Sequence, residues 1–135
     1  TFFKDLFSKP SASIVKVIVG PMNEDDGTLT LLYELLAKYK PSVQEIHCVN
    51  GDMSPETRKY IIKCLKVNPN HQFRINNFKN INCELVLRGD KFYMYNYSLK
   101  LGELPHVVDI QSKGLAKLQH QMFDILWAQA REFEI

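Results

Sequence analysis

Residues 14–21 read Ile14-Val15-Lys16-Val17-Ile18-Val19-Gly20-Pro21, and they decide the fold. β-Branched side chains are stiff at χ1 and pack well on a pleated surface. An almost unbroken run of them therefore predicts a strand buried on both faces, the first and central one of a sheet. Gly20-Pro21 ends it. Beyond the loop 22–27, Leu29, Leu32, Tyr33, Leu36 and Tyr39 recur every three or four residues, which predicts a helix closing before Pro41. Val43 to Val49 is a second strand, stopped by Asn50-Gly51-Asp52. Strand, helix and strand in this order are the parts of a βαβ unit.

Outward from that unit, Ser54-Pro55-Glu56 supplies a capping hydroxyl, a proline at the first helical position and an acid in the first turn. The helix so started buries Tyr60, Ile61, Cys64 and Leu65 and stops around Val67-Asn68-Pro69-Asn70. His71 to Phe78 reads as a third strand, and Cys83 to Tyr97 as a hairpin turning at Arg88-Gly89-Asp90-Lys91. Another strand, His106 to Ile110, precedes a terminal helix that begins near Lys113. That helix carries Leu115, Leu118, Met122, Phe123, Ile125, Leu126, Ala130 and Phe133 as a wide apolar stripe around the lone Trp127. The expected fold class is α/β, a central mixed β-sheet flanked by helices, with residues 11–135 as a single domain. Residues 1–10, where Phe2, Phe3, Leu6 and Phe7 have helical spacing ahead of Pro10, are expected to be a lead-in helix or linker, with membrane binding as the sharper alternative.

Composition excludes several classes. Of 135 residues, 45% are hydrophobic, enough for one core, and the formal net charge of +2 is far from that of a histone-like binder. Cys48, Cys64 and Cys83 are odd in number, widely spread and unpaired by any CxxC spacing, which favours a reducing, cytoplasmic setting. With His47, His71, His106 and His120 they supply no cluster at zinc-ligand spacings, so no metal and no cofactor are expected. No apolar run approaches the ~20 residues that cross a bilayer, so no transmembrane segment is expected. Thr1 in place of an initiator methionine leads to the expectation that the chain is part of a longer protein.

The candidate chemistry is sparse. In Glu24-Asp25-Asp26, three carboxylates would repel a phosphate at the next helix N-terminus; favourable interaction with the helix dipole accounts for them, and a divalent cation is the alternative. Arg58, Lys59, Lys63 and Lys66 form a basic stripe on the second helix, suited to nucleic-acid phosphates or simply a solvated face. Tyr93, Tyr95 and Tyr97 alternate along the hairpin, so one strand face carries three phenols: stacking platforms if exposed, core if covered. Arg88-Gly89-Asp90 matches an adhesion tripeptide but is also what a hairpin turn wants. His71 and His106 have no motif around them and are expected to be strand-end hydrogen bonders. Nothing marks a nucleophile with its base, so no catalytic residue is assigned.

The order of elements, the late hairpin and the ending Met122-Phe123-Asp124-Ile125-Leu126-Trp127-Ala128-Gln129-Ala130 resemble one half of the phospholipase D-like superfamily. Many of its bacterial and archaeal regulator members end in a similar Phe-x-x-x-Trp-x-x-Ala helix. The resemblance covers roughly Ile14 to Phe133. Active members carry His-x-Lys-x4-Asp on the strand matching the hairpin; with Asp90 as the acid, Cys83 stands for the histidine nucleophile and Leu85 for the phosphate-holding lysine. The resemblance thus implies a degenerate, non-catalytic domain that serves a larger protein as a regulatory, docking or dimerisation unit, with a protein partner or a second copy of itself. The alternatives are a nucleic-acid-binding module using the basic helix, and a phosphodiesterase or nuclease completed by another chain or domain.

Overall fold

The computed structural model describes residues 14–20, 26–79, 81, 83–96 and 107–134. Strand β1 (Val15–Val19) does lie at the centre: the described residues form a sheet of seven strands in the order β6-β5-β4-β1-β2-β3-β7. β2 (Val43–Cys48) pairs parallel to β1, and β3 (His71–Asn76) parallel to β2. On the other side, β4 (Cys83–Arg88), β5 (Lys91–Asn96) and β6 (Val107–Gln111) add antiparallel strands, so the sheet is mixed. The two parallel steps need crossovers, supplied by α1 (Asp26–Tyr39) and α2 (Pro55–Val67). The antiparallel hairpin needs only a tight turn: Arg88 pairs with Lys91, and Gly89 takes φ 56° between them.

Strand alternation sorts the core into two layers. Val17, Val43, Phe73, Ile75 and Val86 meet Leu32, Leu35 and Leu36 of α1 and Tyr60, Ile61 and Cys64 of α2. Ile46, Cys48, Leu87 and Phe92 point the other way and meet Ala116 and Phe123 of α3 (Lys113–Gln129). The start of α2 forms as its sequence predicts, with the Ser54 hydroxyl accepting the Thr57 N–H at 3.2 Å and Pro55 in the first turn.

The terminal stripe divides in a way its breadth concealed. Ala116 and Phe123 are buried on α3, whereas Leu115, Leu118, Met122 and Ile125 are exposed. The helix ends at Gln129, and Phe133 does not prolong it. After an extended Ala130, β7 (Arg131–Glu132) pairs with Ile75 and Arg74 on the edge of β3, and Phe133 packs into the core on the α1/α2 side. Arg74 secures this end: its Nη1 donates to the Trp127 carbonyl at 2.6 Å, and its guanidinium lies 4.5 Å from the centre of the indole. The lead-in segment 1–10, the acids Glu24 and Asp25, and His106 lie outside the described residues.

Candidate functional site

The positions that would carry a phospholipase D signature lie on β4 and its turn. Cys83 is half-buried and opposite Asn96. Leu85 stands between Ile18 and Met94 in register and packs into the α3-side core. Asp90 is exposed in the hairpin turn, where its backbone carbonyl accepts the Ser112 N–H at 3.0 Å. An isobutyl group cannot hold a phosphate charge, and a thiol needs to ionise before it attacks. The buried thiols are held from that state: burial, then Cys83, pushes Cys48 up to about 11, and burial raises Cys64 further.

A polar cluster lies inside the opposite layer, where the sequence was read only as strand and helix core. Glu45 and His47 point from β2 to the same face, His71 opens β3, and Tyr60 descends from α2; all four are buried. His47 Nε2 hydrogen-bonds Glu45 Oε2, His71 Nε2 lies 3.0 Å from Oε1, and the Tyr60 hydroxyl donates to Oε1 at 3.2 Å. Both imidazoles therefore present N–H at Nε2, and among the described residues neither Nδ1 has a partner. Burial by itself would raise the Glu45 carboxyl. The pull and hydrogen bond of His47, joined by those of His71, outweigh it and hold the group at about 2. Burial, then Cys64 and Glu45, raises Tyr60 well above the ordinary phenol value, so it remains a donor. His71 stacks on Phe73 with ring centres 4.3 Å apart, and His47 tilts against Tyr60 at 5.3 Å. Phe73 packs against His47, Tyr60 and His71 alike, so the cluster ties β2, β3 and α2 together. The one hint in the sequence is that Glu45 and His47 share the strand face of Val43.

The basic stripe is real as a surface. Arg58, Lys59, Lys63 and Lys66 are all exposed on α2, whose other side buries Thr57, Tyr60, Ile61 and Cys64. They extend over about 12 Å of helix axis. Among the described residues none of them forms a salt bridge; Arg58 lies over the Phe133 ring at 5.4 Å and Lys63 over Tyr33 at 5.9 Å. A further cation that the sequence reading left out joins them: Lys40, at the end of α1, reaches the Val67 carbonyl at the end of α2 at 3.5 Å.

The structure does not bring Tyr93 to this stripe. Tyr93 is half-buried against the α1/α2-side core. Tyr97 and the side chain of Tyr95 lie outside the described residues. β5 is four places from β3 in the sheet, roughly 19 Å at ordinary strand spacing, while the α2 cations point away from the sheet. Among the described residues no group of three or more His, Cys, Asp or Glu side chains is placed to hold a metal ion, and no helix is long and apolar enough to cross a membrane.

No family model matches the sequence, and no curated protein matches it either. Solved structures do. The phospholipase D family member Nuc from Salmonella typhimurium superimposes with a TM-score of 0.68 at 11% identity, over 93% of this chain and 85% of that one. NucT from Helicobacter pylori gives 0.67 at 14% identity, over 96% and 89%. TrmBL2, an archaeal chromatin protein whose structure shows a novel mode of DNA binding, gives 0.55 at 9% identity, over 87% of this chain and 45% of its own. The chain has the phospholipase D-like fold, as its order of elements and terminal helix suggested.

Proposed function

We propose that this chain is a phospholipase D-fold module with no catalytic chemistry of its own, which acts as a docking or regulatory unit by binding, and that its ligand is the phosphate backbone of a nucleic acid held along α2. The non-catalytic part rests on the chemistry at the signature positions: Cys83 and Leu85 offer neither the imidazole that attacks phosphorus nor the ammonium that holds its oxygens. The ligand rests on one observation, the line of exposed cations Arg58, Lys59, Lys63 and Lys66 on a helix whose single acid is Glu56. TrmBL2 shares the fold, and at 9% identity that likeness extends to the fold alone, so the nucleic-acid reading stands on α2.

Fluorescence anisotropy of labelled single- and double-stranded oligonucleotides at two salt concentrations tests the ligand. Backbone binding weakens steeply with salt and falls when Lys59, Lys63 and Lys66 become glutamine. No binding at low salt refutes it. Hydrolysis of an oligonucleotide or of a simple phosphodiester by the purified chain, lost on Cys83→Ser, would refute the non-catalytic part.

A further inference from the structure

Three sulfur-bearing residues share one face of the sheet at the end where β1 runs out. The register pairs Val19 with His47 on β2 and with Glu84 on β4. One position further along, Gly20 therefore falls between Cys48 and Cys83. Cys48 belongs to the α3-side core layer, and Cys83 alternates onto the same side as Leu85 and Leu87. Position 20 shares that side with Ile18 and, being glycine, places no side chain between the two thiols. Met94 on β5, paired with Leu85 and alternating with Phe92, lies on this side too, diagonally across from Cys83.

Strand spacing decides what the two thiols can do. Two steps of about 4.8 Å set the Cα atoms of Cys48 and Cys83 roughly 9.6 Å apart. A disulfide spans at most about 6.8 Å between Cα atoms, so the pair cannot close on itself within this sheet. Replacing the S–S bond of about 2.05 Å by two metal–thiolate bonds of about 2.3 Å lengthens that reach by roughly 2.5 Å, to about 9.3 Å, close to the gap. Electrostatics agree that the thiols are near one another: after burial, Cys83 is the second cause of the raised Cys48 thiol, at about 11. A cation between them reverses this penalty, because both protons leave to solvent and two thiolates face a positive charge. Ile18, Ile81 and Leu85 supply partly buried apolar walls in the same layer. Cys48 is 0% exposed, whereas Cys83 is half-buried and Met94 is 38% exposed, which gives an ion its way in from solvent.

We infer that Cys48, Cys83 and Met94 form a binding site for one soft, thiophilic metal ion, copper(I), held across Gly20 by two thiolates and a thioether. Thiolate and thioether together suit copper(I). Zinc is the poorer fit: it takes four ligands, and among the described residues no group of three or more His, Cys, Asp or Glu side chains is placed to supply them. The site lies on the face of the sheet opposite α2 and does not rest on the nucleic-acid reading.

Anaerobic titration of the 135-residue chain with copper(I), in competition with a colorimetric copper(I) chelator, tests it. The expected result is one ion per chain, with X-ray absorption showing a shell of sulfur alone at about 2.3 Å. Cys83→Ser should weaken binding at least about 100-fold and Met94→Leu about tenfold, while circular dichroism and melting of the metal-free proteins are retained. Cys64, in the other core layer, is the control, and Cys64→Ala should leave the affinity unchanged. The absorption spectrum of the unaltered chain needs no variant to fold. Copper(I) surrendered entirely to the chelator, an affinity that Cys83→Ser or Met94→Leu leaves intact, an equal loss in folded Cys64→Ala and Cys83→Ser, or nitrogen or oxygen atoms in the shell overturns the inference. None of these results bears on oligonucleotide binding.

Discussion

The Nε2 of His71, on β3, stands 3.0 Å from Oε1 of Glu45, on β2, with both side chains buried. This contact ties the first residue of one parallel strand to the middle of its neighbour, and Tyr60 brings α2 to the same oxygen. A lone carboxylate in this layer would be driven to its neutral form; three donors keep it ionised, so removing any one of them loosens the other contacts as well.

The pH dependence follows from the sign of that shift. Glu45 sits at about 2 in the folded chain against an ordinary 4.5, so on acidification the unfolded chain takes up the proton first. The stabilisation is present above the unfolded value of about 4.5 and is lost as pH falls toward about 2. Urea unfolding followed by circular dichroism at a series of pH values should show this loss. Glu45→Gln should start about 3–5 kcal/mol less stable at pH 7 and be flatter through the same window. Parallel profiles for the two proteins would assign the acid sensitivity to other carboxylates.

Two adjacent residues of α3 provide a second test. Phe123 is 1% exposed, stacks on Trp127 with ring centres 5.9 Å apart and has Lys16 Nζ 5.7 Å above its ring, whereas Met122 is 49% exposed. Phe123→Ala should cost about 3–5 kcal/mol in chemical denaturation, and Met122→Ala less than about 0.5 kcal/mol. Equal costs would mean that both sides of α3 are packed.

The α2 cap provides a third. The Ser54 hydroxyl accepts the Thr57 N–H and donates to Thr57 Oγ1 at 3.0 Å. Ser54→Ala should lower stability by about 1 kcal/mol, and Ser54→Asp should restore most of it, since aspartate caps the same N–H. A larger loss for Ser54→Asp than for Ser54→Ala would show that the contact with the Thr57 hydroxyl outweighs the cap.

These tests fall on features that differed in how readily the sequence disclosed them. Val15–Val19, the Ser54-Pro55 start and the Gly89 turn are local: β-branching, a cap and a positive φ leave their marks within a few residues. The Glu45 cluster depends on the parallel register that sets β3 beside β2, and His71 is 26 residues from Glu45, so no local pattern joins them. β7 has only two residues and thus no period to read. On α3 the apolar positions spread too far around the helix for periodicity to say which of them meet the sheet, and Leu118 and Phe123 are alike in sequence and opposite in exposure. The basic stripe was readable because an exposed helical face needs only its own spacing.

That stripe carries the last prediction, which separates a backbone-binding face from ordinary solvated lysines. If Arg58, Lys59, Lys63 and Lys66 each displace a counterion from duplex DNA, log Kobs should fall against log salt with a slope of about −4. Changing Lys63 alone to glutamine should reduce the slope by about 1 and weaken unrelated sequences equally, because a phosphate contact reads no base. Lys40→Gln should do the same if its place beside Val67 makes it part of the site. Lys113→Gln, on the far side of the sheet, should leave the slope unchanged. A slope that drops equally for Lys113 and Lys63 would mean that overall charge, and not α2, attracts the DNA.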